Sequence, residues 1–342
     1  MKRIYVILMV LLSVIVITAC GNTNYEKENG LIFIPIDDST CSVKTESHNC
    51  KNVIIPEFSP SGKKVVRIEA SAFTMCKELE NVVIPEGVTE IGAYAFALSD
   101  KLDAINIPSS ITKIEEFAFL GCNSIESMVI PETVTSLGEA VFISCENLAS
   151  VEIRANITEL PRSTFSNCKS LSSIILPETI ISIGSSAFYE CISLKAIDLP
   201  SEIIEIKNGA FRNCKSLESI IIPKNVTKIE SKTFFECNAL TQVVMPDYLT
   251  EIGSFAFGLC SNLTSITIPE GTAKIGDNAF YACSRIRTIT LPTTLTEVGT
   301  GAFEMCVFLE VNYKGDAQSW QAIKISEGNK ALSDALFFNY NS

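Results

Sequence analysis

Gly253-Ser-Phe-Ala-Phe257-Gly-Leu-Cys260-Ser-Asn-Leu263-Thr-Ser-Ile266-Thr-Ile268-Pro269 recurs, with some letters changed, in the stretch that begins at Glu230 and again in the one that begins at Gly276. Phenylalanine marks the period at 73, 96, 119, 142, 165, 188, 211, 234, 257, 280 and 303. These eleven positions are separated by ten equal intervals, each the step from Phe73 to Phe96, with no insertion or deletion. A fixed period of this length means a solenoid, in which each repeat is one coil stacked on the last.

Columns counted from each Phe separate core from surface. The residue before it is Ala in eight of eleven repeats, and the residue five before it is aliphatic in all of them. Three after it stands Cys, ten times of eleven, with Ser99 the exception; six after it is Leu or Ile throughout. Positions nine and eleven after it are aliphatic or Met in the first ten repeats, and Pro follows in nine of those ten. Alternation with period two predicts a strand with both of those residues inward, and the proline ends it because it cannot donate to a ladder. The Ala-Phe-x-x-Cys portion predicts a short helical turn on the outer side. The expected coil therefore has one short parallel strand and one outer turn. A lone coil of this length orders too much chain for the area it buries, so the repeats must come as an array.

The ends read differently. Met1-Lys2-Arg3 and the apolar run Ile4 to Ala19 fit a signal peptide, being short for a membrane span. Ile17-Thr18-Ala19-Cys20-Gly21 resembles a bacterial lipobox, which implies cleavage before Cys20 and lipidation of that cysteine. The expected organisation is a signal peptide over 1–19, the lipidated cysteine and a flexible tether over 20–30, an N-terminal cap over 31–68, the array over 69–310 and a C-terminal cap over 311–342. Two acyl chains suffice for stable anchoring at a membrane, so the chain is expected to be exported and lipid-anchored. The formal charge is −12, and an acidic exported chain is not expected to bind nucleic acid.

The pattern Ala-Phe-x-x-Cys-x-x-Leu-x-x-Ile-x-Ile-Pro resembles the leucine-rich repeats of BspA-like bacterial surface proteins, which share this repeat length, over about residues 52–342. The resemblance implies a cell-surface binding or adhesion module with ligands that vary from member to member, and it does not imply a catalytic activity; the expected partner is an unknown protein, of a host or neighbouring cell surface. It also implies that Val311 to Asn329, with Trp320, is a C-terminal cap.

Other chemistry is scarce. His48 is the single histidine, there is no phosphate-cradling glycine loop, and no zinc pair of His-x-x-x-His form occurs. No enzyme activity, cofactor or metal is expected. Cys41 and Cys50 face each other across a polar loop and are either a disulfide or two free thiols; a Cys41–His48–Cys50 metal set lacks a fourth ligand. The repeated cysteines read as a packing column of inert thiols. Inward residues fix their strand neighbours outward. The tenth position after each Phe then forms the candidate binding face: Val83, Asn106, Val129, Glu152, Ile175, Asp198, Ile221, Val244, Thr267 and Thr290. Its β-branched residues suit strands in any case. Two readings follow, a protein-binding face with apolar anchors and an acidic edge at Glu152 and Asp198, or a passive spacer of the cell envelope.

Overall fold

The computed structural model describes residues 25–307, 310–334 and 336–338. The chain is a parallel-strand solenoid of about 13 turns with almost no helix. It divides into two compact units, one of the residues up to Glu126 with Ile130–Cys145, the other of Ser127–Val129 with the residues from Glu146 onward.

The first unit begins with β1 (Glu26–Glu28), β2 (Leu31–Pro35), β3 (Thr40–Thr45), β4 (Asn52–Ile54) and β5 (Lys64–Ile68). The first three form an antiparallel meander. Asp37 closes the turn between β2 and β3, accepting from the amides of Ser39 (2.8 Å) and Thr40 (2.7 Å); these bonds hold its carboxyl down to about 2. The segment expected as a tether is thus corrected over Glu26–Glu28, which pairs with β2 and carries an ion pair from Lys27 to Glu46. The expected signal peptide and Cys20 lie outside the described residues.

From β3 onward the pairing turns parallel. It passes through β5 to Glu90–Ile91, Lys113–Ile114 and Ser136–Leu137. A separate ladder joins β4 to Asn81–Val83 and Ala104–Ile105. The second unit repeats this arrangement. Ser219–Ile221 pairs with Gln242–Val244 in one ladder, and Lys228–Ile229 with Glu251–Ile252 in the other. Each typical coil therefore contributes two strands where the sequence predicts one. The extra strand is the aliphatic column five before each Phe, and its two residues are too few for a periodic signal.

The outer side is a third ladder. Residues two before and two after every Phe have φ between +53° and +65°, in all eleven repeats. Gly121, Gly209 and Gly301 make this easy, and Asn167, Asn213 and Asn278 tolerate it; side chains at the other positions carry the left-handed penalty. The amides explain why it is tolerated. Ser186, Phe188 and Glu190 donate to Asn208, Ala210 and Arg212 of the next coil, at 3.1, 2.8 and 3.0 Å. The alternate amides of Ala187, Tyr189 and Cys191 close turns onto residues three earlier. The expected helical turn is reduced to these single bonds, because a continuous helix would satisfy its own amides and leave the neighbouring coil unpaired.

Phenylalanine fills the axis of each unit. In the first, the rings of Phe73, Phe96, Phe119 and Phe142 stack at 5.3, 5.4 and 5.4 Å. In the second, the stack from Phe165 to Phe303 keeps spacings of 5.1 to 5.8 Å, and all these rings are fully buried. The glycine after the aliphatic column answers a close approach. A Cβ on Gly253 would lie 2.7 Å from the amide nitrogen of Ser231 in the coil before.

Cysteine supplies a donor as well as bulk. Cys214 Sγ donates to the carbonyl of Phe188 at 3.1 Å, and Cys122, Cys145, Cys191, Cys237, Cys260, Cys283 and Cys306 make the same bond to the Phe of the preceding coil. Ser99 breaks the cysteine column but keeps the bond, donating to the Phe73 carbonyl at 2.7 Å. Burial pushes the Cys145 and Cys306 thiols up to about 12.

Candidate binding face

The strand face follows from the alternation. In Ser219–Ile221 the middle residue Ile220 is buried, so Ser219 and Ile221 point to solvent. Ile221 is 68% exposed and Ile175 59%. In-register pairing puts Ile221 beside Val244 and Ile175 beside Glu152. Val129 and Val244 are exposed in the same unit, as are Ile54 and Val83 in the first. Around Val244 and Thr267 the face dips into a groove of about 660 Å³, whose rim carries Asp247, Glu270 and Lys314.

Three of the ten candidate residues have structural partners. Asn106 accepts from the Ile84 amide (3.0 Å) and donates to the Ile84 carbonyl (3.1 Å), a side-chain rung where the Ala104–Ile105 strand stops. Glu152 is held by Arg154 through two bonds of 2.7 and 2.9 Å, which lower its pKa and largely cancel its charge. The acidic edge expected there is therefore reduced to Asp198, which is exposed. Thr290, expected outward, is 7% exposed. The strand Glu310–Tyr313 lies alongside it, and Lys314, from that same coil, reaches Glu270 at 3.9 Å. The ladder also lapses at residues 195–200, where Asp198, a poor strand former, occupies the outward position.

The opposite character marks the other ladder. Its outward column, six before each Phe, alternates in sign over the last four repeats, where Lys228, Glu251, Lys274 and Glu297 are successive rungs with Lys324 after them, whereas Ser136, Glu159, Ser182 and Glu205 break the alternation. Ion pairs link Lys228 to Glu251 (3.6 Å), Lys274 to Glu297 (3.8 Å) and Lys324 to Glu297 (3.4 Å). In the first unit, Lys113 bridges Glu90 (2.8 Å) and Glu115 (2.6 Å). Where the signs alternate the column satisfies itself, and elsewhere Glu159 is paired by Lys207 from outside it. Outer-turn aromatics are likewise engaged. Tyr94 stacks on Phe117 at 4.9 Å, and Arg212 lies against the rings of both Tyr189 and Phe235.

The two loop thiols have different neighbours. Cys41 is buried in β3, its Sγ 3.6 Å from the Lys63 carbonyl, while Cys50 Sγ lies 3.8 Å from Thr45 Oγ1. Among the described residues no group of three or more His, Cys, Asp or Glu side chains is placed to hold a metal, and no helix is long and apolar enough to cross a membrane.

Comparison with solved structures finds the same coil elsewhere. A leucine-rich cell surface protein of Faecalibacterium prausnitzii is 25% identical, with a TM-score of 0.57, covering 90% of this chain and 99% of that one. The pneumococcal vaccine antigen PcpA is 16% identical, with a TM-score of 0.60, covering 92% of this chain and 96% of its own, and shares the fold. No functionally curated protein matches the chain. The model of the BspA-type leucine-rich repeat region matches residues 44–172, 158–258 and 204–323, in six copies. With most of its length so matched, and its Phe, Cys and Ile-Pro columns in the places described above, the chain belongs to the BspA-type leucine-rich repeat family.

Proposed function

We propose that this is a lipid-anchored cell-surface protein that binds a protein partner through the strand face of its second unit. The observation that carries the reading is the exposure of Ile175 and Ile221. Each leaves the larger part of the about 1.5–3 kcal/mol of a full burial unrealised, and each has a rung neighbour that extends the patch or gives it a polar border. The small side chains at Ser173 and Ser219 leave those isoleucines standing clear of the sheet. Buried apolar anchors ringed by polar groups are the usual core of a protein interface, and the other ladder has its charges already paired. The likeness to a cell surface protein supports the location, and a protein of a host or neighbouring cell is the class of partner. Cys20, outside the described residues, is the proposed site of lipidation; Cys20→Ala is expected to move the protein from membrane to soluble fractions, and unchanged fractionation would count against it.

The test of the face is capture. Soluble protein beginning at residue 21 is used to isolate a partner from host and bacterial surface extracts, and Ile175→Lys with Ile221→Lys is then compared with the parent. Loss of capture with an unchanged melting curve supports the binding face. Undiminished capture removes it, and failure to capture any partner favours the passive spacer.

A further inference from the structure

Cys76 is the first cysteine of the column, and its surroundings differ from those of the cysteines after it. Cys122 and the column members detailed above bond a Phe carbonyl of the coil before. Cys76 is preceded by the loop between β3 and β4, where no Phe stands. Three bonds clamp that loop onto the first coil. Thr45 N donates to Ala72 O (3.1 Å), His48 Nδ1 lies 2.9 Å from Thr74 O, and Glu80 N donates to Lys51 O (2.8 Å). Because a carbonyl only accepts, His48 carries its proton on Nδ1, with Cys76 Sγ 3.9 Å away. Between these clamps the column register sets the two thiols together: Cys122 bonds to the carbonyl of Phe96 and Cys214 to that of Phe188, and the residue in the same place behind Cys76 is Cys50.

We propose that Cys50 and Cys76 are a dithiol site that small-molecule disulfides oxidise to an intramolecular bridge, joining the leading loop to the first coil of the array. The two thiols have distinct places in the reaction. Cys76 is fully buried, whereas Cys50 is half-exposed. The neighbouring Cys76 thiol lowers Cys50 below the ordinary thiol range, whereas Cys50 and burial raise Cys76, so Cys50 is the more nucleophilic of the two. Cys50 Sγ attacks one sulfur of a disulfide RSSR, forming a Cys50–S–SR bond and releasing RS⁻. Cys76 then attacks Cys50 Sγ and expels the second RS⁻, its proton passing to the departing thiolate. The balance is one RSSR reduced to two RSH, and two protein thiols oxidised to one disulfide. The bridge would close the end of the stack, where the first coil has no preceding Phe ring.

The experiment treats the purified full chain with oxidised glutathione, alkylates remaining thiols in denaturant, and maps the peptides by mass spectrometry. The expected product is a Cys50–Cys76 peptide lacking two hydrogens, with the column cysteines from Cys122 to Cys306 alkylated. Cys76→Ser is expected to trap the intermediate, a glutathione adduct on Cys50 at least tenfold above that on any column cysteine. Cys50 joined to Cys41, or Cys50 and Cys76 both alkylated after treatment, overturns the proposal. The parent protein alone decides this if Cys76→Ser fails to fold.

Discussion

Phe188→Ala tests whether the ring stack holds the second unit together. The Phe188 ring lies 5.8 Å from Phe165 and 5.1 Å from Phe211, and it has no exposed surface. Truncating a buried Phe to Ala costs about 3–5 kcal/mol, and the value within that range depends on how far the site can collapse. Here it can collapse little. The backbone is tied on both sides, by Phe165 N to Ala187 O and Phe188 N to Ala210 O, each at 2.8 Å. The upper part of the range, about 4–5 kcal/mol, is therefore expected. Phe235→Ala is the matched control. Phe235 is half-buried on the outer turn, with an edge contact to Phe255 at 5.7 Å and Arg212 at 5.5 Å, worth together about 1 kcal/mol. Long arrays depart from two-state unfolding, so native-state hydrogen exchange is the assay. Opening of the amides at Phe188 and Phe211 should rise about a thousandfold in Phe188→Ala and about fivefold in Phe235→Ala. Equal protection in the two variants would refute the assignment of the stack as the main source of cohesion.

Two further outcomes are expected of the same scaffold. Asn329 is buried and stands in for the coil that the last Phe lacks: its Oδ1 accepts from Phe303 N (3.0 Å), and its Nδ2 donates to Gly299 O and Ser326 O (2.8 Å each). Asn329→Ala should cost about 2–3 kcal/mol by stranding these groups, with faster exchange confined to residues 301–306; unchanged exchange there would remove the capping role. Native maleimide labelling between Cys41 and Cys306 should be confined to Cys50, because burial keeps the column thiols protonated and enclosed, as at Cys145. Rapid native labelling of Cys214 would contradict this.

The Phe and Cys columns were legible because each inward position sees the same neighbours in every coil, so the same residue type answers it each time. Ser99 shows what the column asks for. A hydroxyl replaces the thiol because both donate to the Phe carbonyl behind, a requirement that packing alone does not express. The left-handed residues were not legible. Position two before the Phe is Gly or Asn only at Gly209, Asn278 and Gly301, and elsewhere holds residues such as Tyr94, Phe117 and Lys232. Local propensity failed there because bonds to the next coil, invisible in one repeat, outweigh the local penalty. The second strand was missed for a related reason: two residues make a ladder only when a neighbour stands in register.

The outward positions obey no such repetition, and the proposed partner recognition is placed there for that reason. Their direction was readable from alternation, but their partners were not. Asn106 finds its bonds on Ile84 of the coil before, and Thr290 is enclosed where the C-terminal strand Glu310–Tyr313 joins the ladder. Glu152 was the readable case, since Arg154 is two residues away on the same strand face. Removing these three leaves Val129, Ile175, Asp198, Ile221, Val244 and Thr267 on the second unit. From Lys228 to Glu297 the outward column of the other ladder shows what a position with only a structural task looks like: charges alternate, and ion pairs link Lys228 to Glu251 and Lys274 to Glu297. Exposed isoleucine has no such internal partner, and strand propensity would be met as well by threonine, which does stand at Thr267. A sheet that uses Thr where nothing more is needed, and Ile at 175 and 221, is carrying apolar surface that its own fold does not require.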